Sequence, residues 1–301
     1  VYTDSIISIT QLSMANLNSV ECNNLTGIED FISLTNLNVC GNVTHIDLSN
    51  NYNLTVLTIL ENDSLTTLDI SNLSNLFNLT LNSNPLSLSV GMPMTSFDLS
   101  SNISLEYLKI GCHPLNNWLN CSGNTLATTN GGIELTQLDL TNNLNLKRLE
   151  IYNTKITSID GSNFPLLVDV YFIGNSQLTS LNLSNNPNLE YINCSFNLIN
   201  QININNNPIL TSIDCSFNNI SCLDFSSLPS LQYFDCKDNL LEELVLTTPN
   251  WMNMNGDARA NLSTCVEVDN VLYANTHFTI DSFASFSTNC SYTNPCNSST
   301  S

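Results

Sequence analysis

Oxygen-bearing side chains recur in this chain at one repeated place. Asp47, Asp69, Asp98, Asp139 and Asp160 each directly follow an apolar residue, and Asn182, Asn203 and Asp224 continue the series. If the segments carrying them stack, neighbouring carboxylates lie about 5 Å apart, and each like-charge pair costs about 1 kcal/mol even in water. Such a row suits a hard cation, so Ca²⁺ is the candidate metal at Asp47, Asp69, Asp98, Asp139 and Asp160, with a basic partner as the other neutraliser. The plainer reading gives each Asp a hydrogen bond to a neighbouring Ser or Thr. No DxDxD loop decides between them. Beyond this row the chain offers little chemistry. His45, His113 and His277 lie far apart and at no zinc-ligand spacing. With no GxSxG elbow and no Gly-rich phosphate loop, the sequence points away from an enzyme and to no organic cofactor.

The element that positions this row is a repeat. Leu189, Leu210 and Leu231 fall 21 residues apart, as do Cys194, Cys215 and Cys236, and Asn197, Asn218 and Asn239. Each unit reads LxxIxCxxNxIxxIxIxxNPxL, two short stretches of alternating apolar residues each followed by Asn or its substitute, which predicts two strands per unit. One such unit cannot bury its own apolar face, so units must stack as coils of a solenoid with parallel strands. The turn after each strand needs a side chain that bonds inward-facing backbone groups, and a column of Asn meets that need. Tracing backward gives a first column of Cys22, Val39, Ile59, Leu81, Ile110, Ile151, Phe172, Cys194, Cys215 and Cys236, about ten coils. The second column runs Leu48, Ile70, Leu99, Leu140, Leu183, Ile204, Phe225 and Leu246.

The LxxLxC, xxN and LxxLxLxxNP elements in fixed register resemble the leucine-rich repeat superfamily, in its 21-residue cysteine-ladder variant. That variant includes internalin J-like domains and secreted proteins of Bacteroidetes. The resemblance implies a mostly β, right-handed leucine-rich repeat β-solenoid with its ladder cysteines stacked and reduced. It also implies a closing module, because TCVEVD and FSTNC after Leu246 resemble the C-terminal cap of such proteins. A Cys265 to Cys290 disulfide in that cap is expected with it. The domain plan is therefore 1–16 as N-terminal cap or linker, 17–248 as solenoid, 249–292 as C-terminal cap and 293–301 as tail.

One insertion, 111–134, separates strands that elsewhere follow closely. A Cys112 to Cys121 disulfide is expected to close it if the protein is extracellular. Trp118 on that loop is either an incidental loop residue or a partner contact. Of the eleven cysteines, Cys40, Cys222 and Cys296 remain unassigned. Cys296 is a candidate for an intermolecular bridge, with a bridge to Cys222 or a free thiol as the alternatives. Among many NxS/T sequons, Asn53, Asn78, Asn182 and Asn297 are the candidate glycosylation sites.

Only 11% of residues are charged, and the net charge is -20 with six Lys and Arg in total. Asn, Ser and Thr supply the polar surface, a habit of secreted repeat proteins. A pI near 4.1 argues against nucleic acid and anionic membrane surfaces. No apolar run reaches membrane-spanning length. The chain begins at Val1 without a signal peptide, so a processed form or a segment of something longer is expected. The reading is a non-catalytic scaffold, extracellular or at the cell surface, and first of all a structural subunit of a self-assembling surface fibre or filament. The alternative is an adhesin or recognition module that binds a protein or glycan through its exposed strand face. Tyr171 is then the residue that stands out on that face.

Overall fold

The computed structural model describes residues 6–14, 24–83, 91–112 and 132–292. Two units can be distinguished, Val1–Thr157 with Ile173–Asn175, and Ser158–Phe172 with Ser176–Ser301. Both are built of parallel β-solenoid coils, as the repeat requires.

In the first unit, β1 (Gln11–Ser13), β2 (Asn36–Cys40), β3 (Val56–Leu60), β4 (Asn78–Leu81), β5 (Tyr107–Ile110) and β6 (Arg148–Tyr152) form a parallel sheet in that order. Alternation along each strand turns every second residue inward. Leu37, Leu57, Leu79, Leu108 and Leu149 therefore line up as ladder partners, followed by Val39, Ile59, Leu81, Ile110 and Ile151. All are at most 1% exposed. The register holds although the steps from Asn36 to Val56, Asn78, Tyr107 and Arg148 are 20, 22, 29 and 41 residues. Extra residues leave the strands' pairing unchanged, because a one-residue slip would expose a whole apolar row.

The second unit repeats more regularly. Its main sheet holds β8 (Asp169–Ile173), β10 (Tyr191–Asn193), β12 (Ser212–Asp214), β14 (Tyr233–Asp235), β16 (Asn255–Asp257) and β18 (Phe278–Thr279). The second strand of the coil forms two further parallel ladders. One contains β7 (Ser158–Asp160), β9 (Ser180–Asn182) and β11 (Gln201–Asn203); the other contains β13 (Cys222–Asp224), β15 (Glu243–Leu246), β17 (Cys265–Val268) and β19 (Ser285–Ser287). In the first unit the matching residues Leu48, Ile70, Leu99 and Leu140 are buried, but no strand forms there among the described residues. The longer and unequal coils supply the reason, since a second ladder needs a constant offset between both halves of the coil.

Cys194, Cys215 and Cys236 are free thiols, fully buried, and their N–H groups bond the coil above at Asp214, Asp235 and Asp257 by 2.8, 2.8 and 2.9 Å. They are vertical neighbours in a dry stack where a small soft side chain fits. Burial raises all three thiols above their ordinary range. Cys22 lies outside the described residues, and Cys40 is a half-buried free thiol.

The Asn column works as its recurrence predicts. Asn218 Nδ2 donates to the carbonyls of Cys194 (2.9 Å) and Cys215 (3.1 Å), tying one coil to the previous one, while its Oδ1 accepts the Ile199 N–H (3.0 Å). Asn239 and Asn261 repeat the pattern one and two coils on. Asp281 then ends it, its carboxylate accepting the N–H groups of Ala260 and Asn261, each at 3.0 Å.

Residues 249–292, expected as a cap, carry coil geometry of their own. β16 and β18 extend the main sheet and β17 and β19 the second, with helix α1 (Val271–His277) set between them. Gly256 takes the inward place that Phe234 has in the coil before, and a Cβ there would stand 2.3 Å from the Phe234 carbonyl oxygen and 2.5 Å from its ring. A disulfide joins Cys265 and Cys290 as expected. At the start of the chain, β1 pairs with β2, so part of the 1–16 segment belongs to the sheet itself.

Candidate functional site

Strands that bury every second residue present the others outward, and on the second unit these outward residues are aromatic and acidic. Tyr171 and Tyr191, from adjacent strands, lie with ring centroids 5.1 Å apart at a 32° tilt. Tyr233, two coils on from Tyr191, is 41% exposed. Ser212 is the ladder partner of both Tyr191 and Tyr233, so a small residue separates the two rings.

Beside the tyrosines runs a row of carboxylates, Asp214, Asp235 and Asp257, which are ladder partners in successive coils. Asp235 accepts Lys237 Nζ at 2.6 Å and Asp257 accepts Arg259 through Nε at 2.9 Å. Asp214 instead accepts the Ser216 N–H and hydroxyl at 3.0 and 2.6 Å and Asn193 Nδ2 at 3.2 Å. Burial raises the Asp214 carboxyl above the usual range, the Ser216 bonds oppose this, the Asp235 charge adds to the rise, and the Lys237 charge takes away a smaller part of it. At the edge of the row Phe196 and Phe217 stack at 4.3 Å and 9°, both at positive φ (58° and 55°), and Lys237 Nζ sits 5.8 Å from the Phe217 ring centroid. Bulky residues rarely adopt that conformation, so the stacked rings help compensate a local strain.

On β5 and β6 of the first unit the outward carboxylate is enclosed by that unit's own charges. Glu150, 4% exposed, accepts Arg148 Nε at 2.5 Å and the hydroxyls of Tyr107 and Tyr152 at 3.1 Å each, with Lys109 Nζ at 3.6 Å. Burial raises its carboxyl, but the Arg148 bond, the Lys109 and Arg148 charges and the Tyr152 hydroxyl outweigh it, and the group ends below the ordinary range.

The aspartate column forms turns. Asp47, Asp69, Asp98, Asp139 and Asp160 each accept the backbone N–H two residues on, from Ser49, Ser71, Ser100, Thr141 and Ser162, at 2.7 to 3.1 Å. These bonds lower the carboxyls of Asp47, Asp98 and Asp139, and that of Asp69 with its Ser71 hydroxyl bond foremost. Asn182 and Asn203 make the same turn at 3.2 Å. Among the described residues no group of three or more His, Cys, Asp or Glu side chains could hold a metal ion.

Cys112 and Cys222 are disulfide-bonded. Cys121, Cys296, Trp118 and Asn297 lie outside the described residues. Asn53 is exposed and donates to the Ile32 carbonyl at 3.0 Å, Asn182 donates to Asp160 at 3.0 Å, and Asn78 is half-buried on β4. No helix among the described residues is long and apolar enough to cross a membrane. A groove of about 510 Å³ lies between α1 and the last coil, and its carboxylate, Asp281, is occupied in capping Ala260 and Asn261.

Sequence reasoning placed Tyr171, Asp214 and Asp235 in one exposed strand row and missed Tyr191 and Tyr233. A short strand has two outward positions flanking its buried residue, and only the second was followed. The signal was present in LEYINC and LQYFDC, where Tyr precedes the inward residue.

The chain was compared with known proteins. It is similar in structure to the functional domain of InlJ from Listeria monocytogenes, which includes a cysteine ladder, with a TM-score of 0.61 and 25% identity over 93% of this chain and 55% of that one. It is also similar to a chain of the LRIM1/APL1C complex, with a TM-score of 0.60 and 16% identity over 87% of this chain and 51% of that one, a likeness of fold alone. The chain thus spans about half the length of these solved structures. No protein-family profile and no curated protein matches it.

Proposed function

We propose that this chain, whose fold is that of a leucine-rich repeat protein with a cysteine ladder, is a non-catalytic extracellular scaffold that recognises a protein partner. Repeat solenoids present extended surfaces for such contacts. The observation that carries the reading is the tyrosine cluster of the second unit, Tyr171 and Tyr191 at 5.1 Å with the exposed Tyr233 two coils away. Tyrosine supplies large contact area with few rotatable bonds and anchors many interfaces. The Cys265 to Cys290 disulfide, with Cys112 and Cys222 also bridged, supports an oxidising compartment. The test is a binding screen of the full chain against secreted and surface proteins, repeated with Tyr191→Ser/Tyr233→Ser and with Asn205→Ser outside that face. Loss of the partner in the first variant alone is the expected result; retention in both sinks the reading.

A self-assembling filament is the second reading, favoured by one feature. Among the described residues β18 and β19 each end their ladder, as edge strands that another copy could extend. Electron microscopy of the native protein separates the two, since fibres with a fixed axial repeat support assembly and single particles support recognition.

A further inference from the structure

We propose that the outward face of the second unit binds a lysine- or arginine-bearing segment of a protein, with a cationic head seated at Asp214 between Tyr191 and Tyr233. The proposal rests on the recognition reading and adds the chemistry of the partner.

The charges of the row do not balance. Three carboxylates lie in register, Asp214, Asp235 and Asp257, and the two coils that carry Lys237 and Arg259 neutralise their own aspartates. In the coil of Asp214 the corresponding place holds Ser216, which donates hydrogen bonds but brings no charge. Asp214 is thus the one aspartate of the row without a cation in its own coil.

The aromatic residues make that place a receptor for a cation. Tyr191 and Tyr233 flank Ser212 two coil spacings apart, about 9.6 Å, which admits one guanidinium plane or ammonium head between two rings. The face already holds a cation in this way, with Lys237 5.8 Å from the Phe217 ring centroid and 2.6 Å from Asp235. A guest cation at Asp214 would likewise meet a carboxylate and aromatic rings, here those of Tyr191 and Tyr233 in place of that of Phe217. Burial already disfavours the charge on Asp214, and a cation relieves what a neutral ligand leaves in place. The net charge of -20 favours approach of a basic segment and disfavours an acidic one. An oligosaccharide could stack on the same tyrosines but would leave Asp214 unneutralised.

Titration calorimetry on the full chain tests this with a peptide alternating Lys and Ser, its Arg and Glu counterparts, a neutral β-linked oligosaccharide, and calcium chloride. The Lys and Arg peptides are expected to bind, more weakly as salt rises, and to lose roughly tenfold in affinity in Asp214→Asn. Asp98→Asn, which removes a charge from the other unit and keeps its turn acceptor, is expected to bind as the parent does. Equal weakening in both variants would mean bulk charge attraction and would overturn the proposal, as would binding of the oligosaccharide or calcium alone. Circular dichroism of each variant verifies its fold. If Tyr191→Ser/Tyr233→Ser loses the natural partner while the parent ignores basic peptides, the cation proposal fails and the recognition reading stands. If that variant keeps its partner, the recognition reading fails.

Discussion

Glu150 in the first unit and Asp214 in the second occupy the same kind of place, an outward position on a short parallel strand, largely withdrawn from water. Glu150 is surrounded by Arg148, Lys109 and two tyrosine hydroxyls and is held ionised. Asp214 has a serine, an amide, a neighbouring carboxylate and, one coil on, Lys237, which is paired with Asp235; burial outweighs these bonds and the Lys237 charge, and its own charge is disfavoured. One fold thus presents one carboxylate enclosed by its own ion cluster and another whose charge its surroundings disfavour. The strand geometry sets where a carboxylate stands; the residues two positions away along the strand, and one coil away across it, set what it can do.

The largest expected effect comes from breaking the closed cluster. Glu150→Leu leaves Arg148 and Lys109 without their carboxylate and two tyrosine hydroxyls without an acceptor, and should cost about 3 kcal/mol in urea unfolding. A loss under about 1 kcal/mol would mean the cluster is surface decoration and the contrast with Asp214 is void.

Next come the asparagines, which also differ between the units. Asn207, in the second half of its coil, donates to the Leu183 and Ile204 carbonyls and accepts the Asn186 N–H, whereas Asn102 at the matching place donates to the Ile70 and Leu73 carbonyls and leaves its buried Oδ1 without a partner, as Asn51 and Asn143 do. Asn207→Ala should cost about 2 to 3 kcal/mol and Asn102→Ala distinctly less, since its removal also discards an unsatisfied oxygen. Equal losses would show that the oxygen carries no penalty.

The pH dependence sharpens the comparison because its two signs are opposed. The folded-state pKa of Glu150 lies below its unfolded value, so its contribution is present above pH 4.5 and is lost as pH falls through the folded value. The folded-state pKa of Asp214 lies above its unfolded value, so stability is lost as pH rises between the two. In denaturant titrations from pH 3 to pH 7, Glu150→Gln should remove the acid-side loss. Asp214→Asn should raise stability at pH 7 by less than about 1 kcal/mol and change nothing at pH 3. The same slope in both variants would contradict the assigned surroundings.

Much of this was legible in the repeat. The spacing of Cys194, Cys215 and Cys236 fixes their stacking, and Asn197, Asn218 and Asn239 recur because the coil's inward carbonyls need a donor on every turn. The Cys265 to Cys290 bridge followed from the resemblance of the C-terminal segment. The Glu150 cluster was not legible, because Tyr107 reaches it from 43 residues away across an insertion that no period describes. Nor were the coils within 249–292. There Gly256 stands where a large apolar residue marks a strand elsewhere, the space being filled by the ring of Phe234 from the coil before, and Ala258 stands where the cysteine column would continue.

The smallest effect is expected where the sequence looked most chemical. In the second unit Asn182 and Asn203 accept the same turn N–H that Asp47, Asp69, Asp98, Asp139 and Asp160 accept, so the charge is dispensable to the turn while the oxygen is not. Asp98→Asn should then move Tm by less than about 2 °C, whereas Asp98→Leu, which removes the acceptor from Ser100, should lower it measurably. Millimolar calcium should leave the Tm of the parent unchanged, because each carboxylate points one oxygen at its own backbone and three do not converge. A calcium-dependent rise that disappears in Asp98→Asn would instead make the column a metal site. The two units would then differ in their ions as well as in their faces.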